Sequence, residues 1–132
     1  MKNIAKFYLL IVSLSLLACT PDSAGLKPSE LEGSWLCIDG TMDGDKATMM
    51  IKSEKDGNPG AEIIFKGNML TFPILTDINK SKDQTFSILD KKIICKNDTD
   101  LVFTVKDKTS KKMTLAFALQ GHNLELVLEK IK

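Results

Sequence analysis

From Leu31 onward, apolar residues fall in short runs in which every second residue is apolar, and turn-forming residues separate one run from the next. The clearest run holds Met113, Leu115, Phe117 and Leu119. Because successive side chains of a strand point to opposite faces, such a run buries one face and exposes the other. Runs of this kind, with glycine, asparagine or aspartate between them, predict an all-β domain of antiparallel hairpins.

Consecutive hairpins make an antiparallel meander the simplest topology for these runs. We expect 8–9 strands that close into a small barrel, with a two-sheet β-sandwich as the alternative, since both arrangements bury one face of every strand. No helix is predicted in the domain beyond a single turn at 27–32, which fits a short lid or plug. The strands are predicted at 34–39, 47–53, 62–66, 69–75, 84–89, 92–96, 101–106, 113–119 and 124–130.

The predicted inward face carries enough large apolar side chains to fill a small barrel. A barrel of about eight strands is just wide enough to be filled by side chains or to hold one small ligand. The sequence favours a filled interior, because protein cores pack at near-crystalline density. The predicted inward side chains are Trp35, Met49, Ile51, Ile63, Phe65, Leu70, Phe72, Ile74, Phe86, Ile88, Leu101, Phe103, Val105, Met113, Leu115, Phe117, Leu119, Leu124, Leu126 and Leu128.

The N-terminal segment has a different pattern. Two lysines precede an apolar stretch, residues 7–17, that is too short for a stable membrane span. Leu16, Ala18 and Cys19 follow the order found in the signals of bacterial lipoproteins, which this segment resembles. The resemblance implies cleavage before Cys19 and a lipid on its sulfur. We therefore expect a signal peptide at 1–18, a lipidated tether at 19–29 and the barrel domain at 30–132.

The same resemblance implies where the protein resides. In that family an aspartate after the lipidated cysteine favours the inner membrane, so Thr20 implies the outer membrane of the cell envelope. Several acyl chains on one cysteine hold a protein on a bilayer almost permanently, since each buried methylene contributes about 0.8 kcal/mol. The predicted partner of the N-terminal lipid is thus the membrane itself.

The start of the first strand supports a second resemblance. Leu31-Glu32-Gly33-Ser34-Trp35 resembles the Leu-x-Gly-x-Trp start of small bacterial lipocalin-like lipoproteins. In that family the glycine permits close backbone packing and the tryptophan closes one end of the barrel, which are the roles implied for Gly33 and Trp35. The implied function is a binding module for a small apolar ligand or an envelope component. The alternative is an inhibitor-type or interaction protein with a filled barrel.

Composition excludes some partners and leaves the cysteines open. Without residues 1–18, the chain has 16 lysines and 17 acidic residues, so its net charge is close to zero. This argues against binding of nucleic acid and against binding of anionic lipid by a cluster of basic residues. The lysine pairs 91–92 and 111–112 are predicted to solubilise turns and protect strand edges, with a docking patch for an acidic partner as the alternative. Cys37 and Cys95 form either a disulfide, as in many exported domains, or two buried thiols.

The sequence contains no residue pattern typical of a catalytic or metal-binding site. His122 lies in a predicted turn without a second histidine or a cysteine near it in sequence, which makes it a poor metal ligand. Asp39, Asp43 and Asp45 lack the ligand spacing of a calcium loop and fit a solvated hairpin tip. The sequence therefore predicts neither an enzyme nor a bound cofactor or metal.

Overall fold

The computed structural model describes residues 26–132 as a closed antiparallel β-barrel. Eight strands form the barrel and a short ninth strand, β2, extends it at one edge. One helical turn, α1, precedes β1, and 3₁₀ turns lie at Thr48–Met50 and Pro73–Ile78. The elements are α1 Pro28–Leu31, β1 Gly33–Met42, β2 Asp45–Lys46, β3 Glu62–Lys66, β4 Met69–Thr71, β5 Asp83–Leu89, β6 Lys92–Cys95, β7 Val102–Lys108, β8 Lys112–Leu119 and β9 His122–Lys130.

The first and last strands close the barrel. Trp35 of β1 lies opposite Ile63 of β3 on one side and Lys130 of β9 on the other. A β-bulge between Cys37 and Asp39 bends β1 where its pairing with β3 ends. The β1–β9 pairing joins both edges of the meander into one continuous sheet. The all-β meander and its barrel are therefore confirmed, and the β-sandwich alternative is excluded.

Strand direction gives the barrel two distinct ends. The tether end, as we name it, holds α1, the β3–β4, β5–β6 and β7–β8 turns and the final residues of β9. The far end holds the β1–β2 and β8–β9 turns, the loop 47–61, and the β4–β5 and β6–β7 connections. The backbone N–H of Leu26 donates to the Asp90 carbonyl at 3.1 Å, so the chain enters the barrel beside the β5–β6 turn of the tether end.

Apolar and aromatic side chains fill the interior as one continuous cluster. The ring of Phe117 lies 4.8 Å from that of Phe103 and 5.9 Å from that of Phe72, centroid to centroid. Phe65 and Phe86 meet edge to face at 5.7 Å. The buried residues also include Cys37, Cys95, Met50, Leu75 and Ile93, which the alternation did not assign to the interior.

The segment 47–53 departs from the prediction. It forms a 3₁₀ turn and loop in place of a strand, so Met50 and Ile51 are both buried while Met49 is 72% exposed. Met49 was therefore wrongly predicted to face inward. The predicted strand 69–75 is also too long, because Pro73 starts a 3₁₀ helix. The other predicted strands are found with small shifts at their ends.

The predicted single turn at 27–32 is present as α1, with Leu31 fully buried under it. Leu26 packs against the core, so the folded body begins before residue 30, where the sequence placed the domain boundary. The predicted signal peptide 1–18, Cys19, Thr20 and the predicted tether as far as residue 25 lie outside the described residues. No helix within 26–132 is long and apolar enough to cross a membrane.

Candidate functional site

The tether end is built around Trp35. Its indole is fully buried, and Nε1 donates a 2.7 Å hydrogen bond to the carbonyl of Leu31, the last residue of α1. Gly33 has a φ of +123°, and a Cβ there would lie 2.3 Å from the Lys132 carbonyl oxygen. Only glycine fits such a conformation and approach. Both residues of the Leu-x-Gly-x-Trp segment thus lie where α1 and the end of β9 cover this end of the barrel.

An open groove of about 850 Å³ lies between α1 and the neighbouring turns. Residues of α1, the β5–β6 turn, β7, the β7–β8 turn and β9 line it. Its charged lining consists of five lysines and a single acid, and Ser29, Thr109 and Ser110 add hydroxyl groups. The five lysines are Lys27, Lys91, Lys106, Lys108 and Lys130, and the acid is Glu30.

Two of these lysines lie against Trp35. The Nζ atoms of Lys108 and Lys130 are 5.6 and 5.7 Å from the centroid of the indole ring, within cation–π range. Both lysines are half-buried, so their aliphatic stems cover apolar surface while their ammonium groups stay at the groove. The Lys108 ammonium also donates to the Thr109 carbonyl at 3.0 Å. Two ammonium groups therefore lie within cation–π range of the same buried indole ring.

Few carboxylates compensate these cations. Lys106 pairs with Glu125 at 2.9 Å, but within residues 26–132 no carboxylate oxygen lies within 4.0 Å of the other four groove ammonium groups. Glu30 accepts a hydrogen bond from the backbone N–H of Lys27 at 2.8 Å. The groove consequently presents an excess of positive charge, in a form that suits a phosphate or carboxylate group.

The charges of the whole barrel are divided between its ends. The tether-end segments 26–32, 66–69, 89–92, 107–112 and 129–132 hold nine lysines and five acidic residues. The far-end segments 43–62, 72–83, 96–101 and 119–123 hold six lysines and nine acidic residues. The nearly neutral composition is therefore an average over one cationic and one anionic end.

The far end keeps its negative charge through local hydrogen bonds. The backbone N–H of Asn123 and then His122 lower the pKa of Asp43. The hydroxyl of Thr71, followed by Lys82, lowers the pKa of Asp83. The ion-paired Lys80 lowers the pKa of Asp98. These carboxylates remain ionised in mildly acidic solution, so the division of charge persists there.

His122 is not an isolated turn residue, because its Nδ1 lies 2.7 Å from Asp43 Oδ2 across the far end. Asp39 Oδ1 instead accepts from the backbone N–H of Gly40 at 2.8 Å. Within residues 26–132 no group of three or more histidine, cysteine or acidic side chains is arranged to hold a metal ion.

Cys37 and Cys95 are free thiols, and both are fully buried. They lie on β1 and β6, which occupy opposite positions in the ring of eight strands. A disulfide needs Cα atoms within about 7 Å, closer than opposite walls of such a barrel approach each other. The structure corresponds to the second of the two alternatives, a pair of buried thiols. Burial raises the pKa of each thiol to about 11.

The lysine pairs 91–92 and 111–112 were assigned separately to two exposed turns, and the structure brings these turns to the same end of the barrel. The signal for this was present in the sequence, because alternate turns of a meander share an end. The argument from net charge could not reveal it, since it sums over both ends. The chain matches no protein-family model, no curated protein and no solved structure.

Proposed function

We propose that this protein is a lipid-anchored binding module of the bacterial cell envelope, and that its filled barrel binds an anionic envelope component on the outside. The observation that carries the proposal is the groove at the tether end, where five lysines face one acid. The lipoprotein-like order of Leu16, Ala18 and Cys19 supports the location. The proposed activity is binding without catalysis.

A small apolar ligand inside the barrel is the weaker form of this proposal. The rings of Phe72, Phe103 and Phe117 occupy the interior against one another, and the groove lies outside them. A ligand held within the barrel would have to displace these side chains. An anionic group in the open groove displaces no core side chain, and within the described residues it meets four ammonium groups that have no carboxylate partner.

The location is tested by expressing the full chain in a bacterial host and comparing it with Cys19→Ser. We expect the unaltered chain to lose residues 1–18, to gain the mass of acyl chains and to partition into detergent. Cys19→Ser should keep the signal peptide and carry no lipid. Equal mass and equal partitioning of the two chains would contradict lipid attachment at Cys19.

The binding site is tested by placing a photo-crosslinking amino acid at Ser110, in the groove, and at Gln120, at the far end. Both residues are exposed turn residues of the same barrel, so the main difference between the two positions is the end of the barrel at which they lie. We expect a discrete crosslinked product in intact envelopes from Ser110 and little from Gln120. Identical products from both positions would argue against a site in the groove.

A further inference from the structure

We infer that the tether end docks against the anionic headgroup layer of the bilayer that holds the lipid anchor. The occupant of the lysine-lined groove and its rim is then lipid phosphate at a membrane surface. This inference rests on the proposed function, because the lipid on Cys19 is what brings the tether end to a bilayer. It adds the chemical class of the partner and the orientation of the barrel.

The first argument is the position at which the chain leaves the barrel. Leu26 is bonded to the β5–β6 turn at the tether end, so this end is the one nearest to Cys19. Seven residue steps separate Cys19 from Leu26, and an extended chain spans at most about 3.6 Å per residue. The tether end can therefore lie no farther than about 25 Å from an anchored Cys19.

The second argument is charge. The nine lysines of the tether-end segments lack a carboxylate within 4.0 Å in the described part of the chain, and among the groove lysines only Lys106 is ion-paired, with Glu125. At the far end Lys52, Lys80 and Lys82 are ion-paired. Two of the acidic residues at the tether end accept hydrogen bonds from backbone N–H groups, Glu30 from Lys27 and Glu32 from Gly67 at 2.9 Å. Cations attract an anionic bilayer only within roughly a Debye length, about 10 Å, so they act at this end and not at the other.

The third argument is the placement of exposed apolar side chains. Of the five exposed large apolar side chains in residues 26–132, three lie at the tether end, namely Leu89, Met69 and Ile131 at 62%, 44% and 45% exposure, whereas the far end has Met49 and the wall of the barrel has Ile64. Exposed apolar groups next to lysines are typical of surfaces that rest in the headgroup region of a bilayer. An acidic protein partner could also use such a surface, and the choice of a bilayer therefore rests on the position of the chain entry together with the lysines.

The test uses residues 19–132 with Cys19→Ser, which contain the whole closed barrel and no lipid. Co-sedimentation is measured with vesicles of phosphatidylcholine alone and with vesicles containing about one third phosphatidylglycerol. We expect binding only to the anionic vesicles, and less of it as salt is raised. Equal binding to both vesicle types, or none to either, would overturn the inference.

Matched variants locate the surface. Each lysine near an anionic surface contributes about a fivefold gain in partitioning, so losing three groove lysines should weaken binding on the order of a hundredfold. The groove variant carries Lys91→Gln, Lys108→Gln and Lys130→Gln, and the far-end control carries Lys46→Gln, Lys52→Gln and Lys55→Gln. Both change the net charge equally. An equal loss in the control would show a nonspecific charge effect and overturn the assigned orientation.

A second pair of variants avoids the lysines that pack on Trp35. Leu89→Ser removes an exposed apolar side chain at the tether end, and Met49→Ser removes one at the far end. We expect only Leu89→Ser to weaken vesicle binding, while urea unfolding shows both variants folded. Binding to polyglutamate but not to anionic vesicles would identify an acidic protein as the occupant and overturn the inference.

This experiment is independent of lipid attachment. If residues 19–132 bind anionic vesicles but the full chain is not lipidated at Cys19, the membrane-binding surface stands and the proposed anchor is refuted. If the full chain is lipidated but residues 19–132 do not bind these vesicles, the proposed anchor stands and the inference of headgroup docking is refuted. The two failures are therefore separate measurements.

Discussion

Trp35 connects α1, β1 and the groove lysines through one side chain. Its indole N–H is bonded to Leu31, and Lys108 and Lys130 lie over its ring. Another aromatic residue would not replace it fully. Phenylalanine has no N–H to donate to Leu31, and its ring is smaller and would fill less of the core. A residue that looks like an ordinary core aromatic in the sequence therefore also organises the surface of the tether end.

Trp35→Phe should destabilise the barrel by about 1–3 kcal/mol, since the Leu31 carbonyl loses its donor and the smaller ring leaves space in the core. Urea unfolding followed by circular dichroism measures this, because the chain has no other tryptophan for fluorescence. Phe86→Leu serves as the control for trimming a buried aromatic ring away from α1. An unchanged unfolding midpoint for Trp35→Phe would show that the hydrogen bond and the ring are dispensable.

Asp43 gives a pH-dependent prediction at the far end. Its pKa is lowered from 3.8 in the folded state, first by the Asn123 backbone N–H and second by His122. A carboxyl group with a depressed folded-state pKa stabilises the protein above its unfolded pKa, and this contribution is lost as the pH falls through the folded pKa. The stabilising effect of Asp43 should therefore be present at neutral pH and disappear below pH 3.8.

The measurement compares the urea midpoints of the unaltered chain and Asp43→Asn at pH about 7 and at pH about 2.5. Asparagine tolerates the positive φ of this position, +52°, so backbone strain does not obscure the result. The variant should be less stable at neutral pH, with the difference shrinking in acid. Asp45→Asn removes the same charge from the same hairpin and is the control. A difference for Asp43→Asn that does not vary with pH would contradict the argument.

At the scale of elements, alternation predicted strands well where both faces had a consistent environment. The run 113–119 became β8 because its apolar side faces the core and its other side faces water. The run 47–53 failed because the Asn58 amide donates to the carbonyls of Thr48, Met49 and Ile51, at 3.1, 3.0 and 2.7 Å. These hydrogen bonds come from Asn58, seven to ten residues further along the chain, in a segment that the sequence predicted as a turn. Such contacts leave no periodic pattern in the sequence.

Asn58→Ala should therefore destabilise the loop 47–61 and the protein by about 1–3 kcal/mol, because three carbonyl groups lose one shared donor. Asn97→Ala is the matched control, since Asn97 accepts a single hydrogen bond, from the Thr85 N–H at 2.8 Å. Urea unfolding should show a clearly larger loss for Asn58→Ala. Equal losses would mean that the three bonds do not hold the loop, and would leave its departure from a strand unexplained.

At the scale of the molecule, one misassigned strand changes which end of the barrel carries the N-terminus. With 47–53 as a full strand, the meander has nine strands, and β1 starts at the end opposite the Lys91 and Lys111 turns. With β2 reduced to Asp45–Lys46, eight strands close the ring and β1 runs antiparallel to β9. The chain then enters at the lysine end. The fold class could be predicted from alternation alone, whereas the site required the correct number of strands.

A barrel closed by β1 and β9 should also open as one unit, and the two cysteines can report on this. Both thiols are buried on opposite walls with pKa values raised to about 11, so a thiol reagent at mildly alkaline pH reaches them only after opening. In residues 19–132 with Cys19→Ser, each thiol is isolated by Cys37→Ala or Cys95→Ala. We expect the free energy of opening from labelling to equal that from urea unfolding at both positions.

In residues 19–132 with Cys19→Ser as the sole substitution, two reactive thiols per unfolded chain, without reductant, would also show that Cys37 and Cys95 are not joined in solution. Labelling of Cys95 much faster than global unfolding would instead reveal local opening on the β6 side, away from the β1–β9 closure. The groove is lined by Lys91 of the β5–β6 turn and by β7, so opening that extends along β6 to this turn would also disturb the groove. Equal protection at both cysteines would show that the β1 and β6 walls open only together, with the whole barrel.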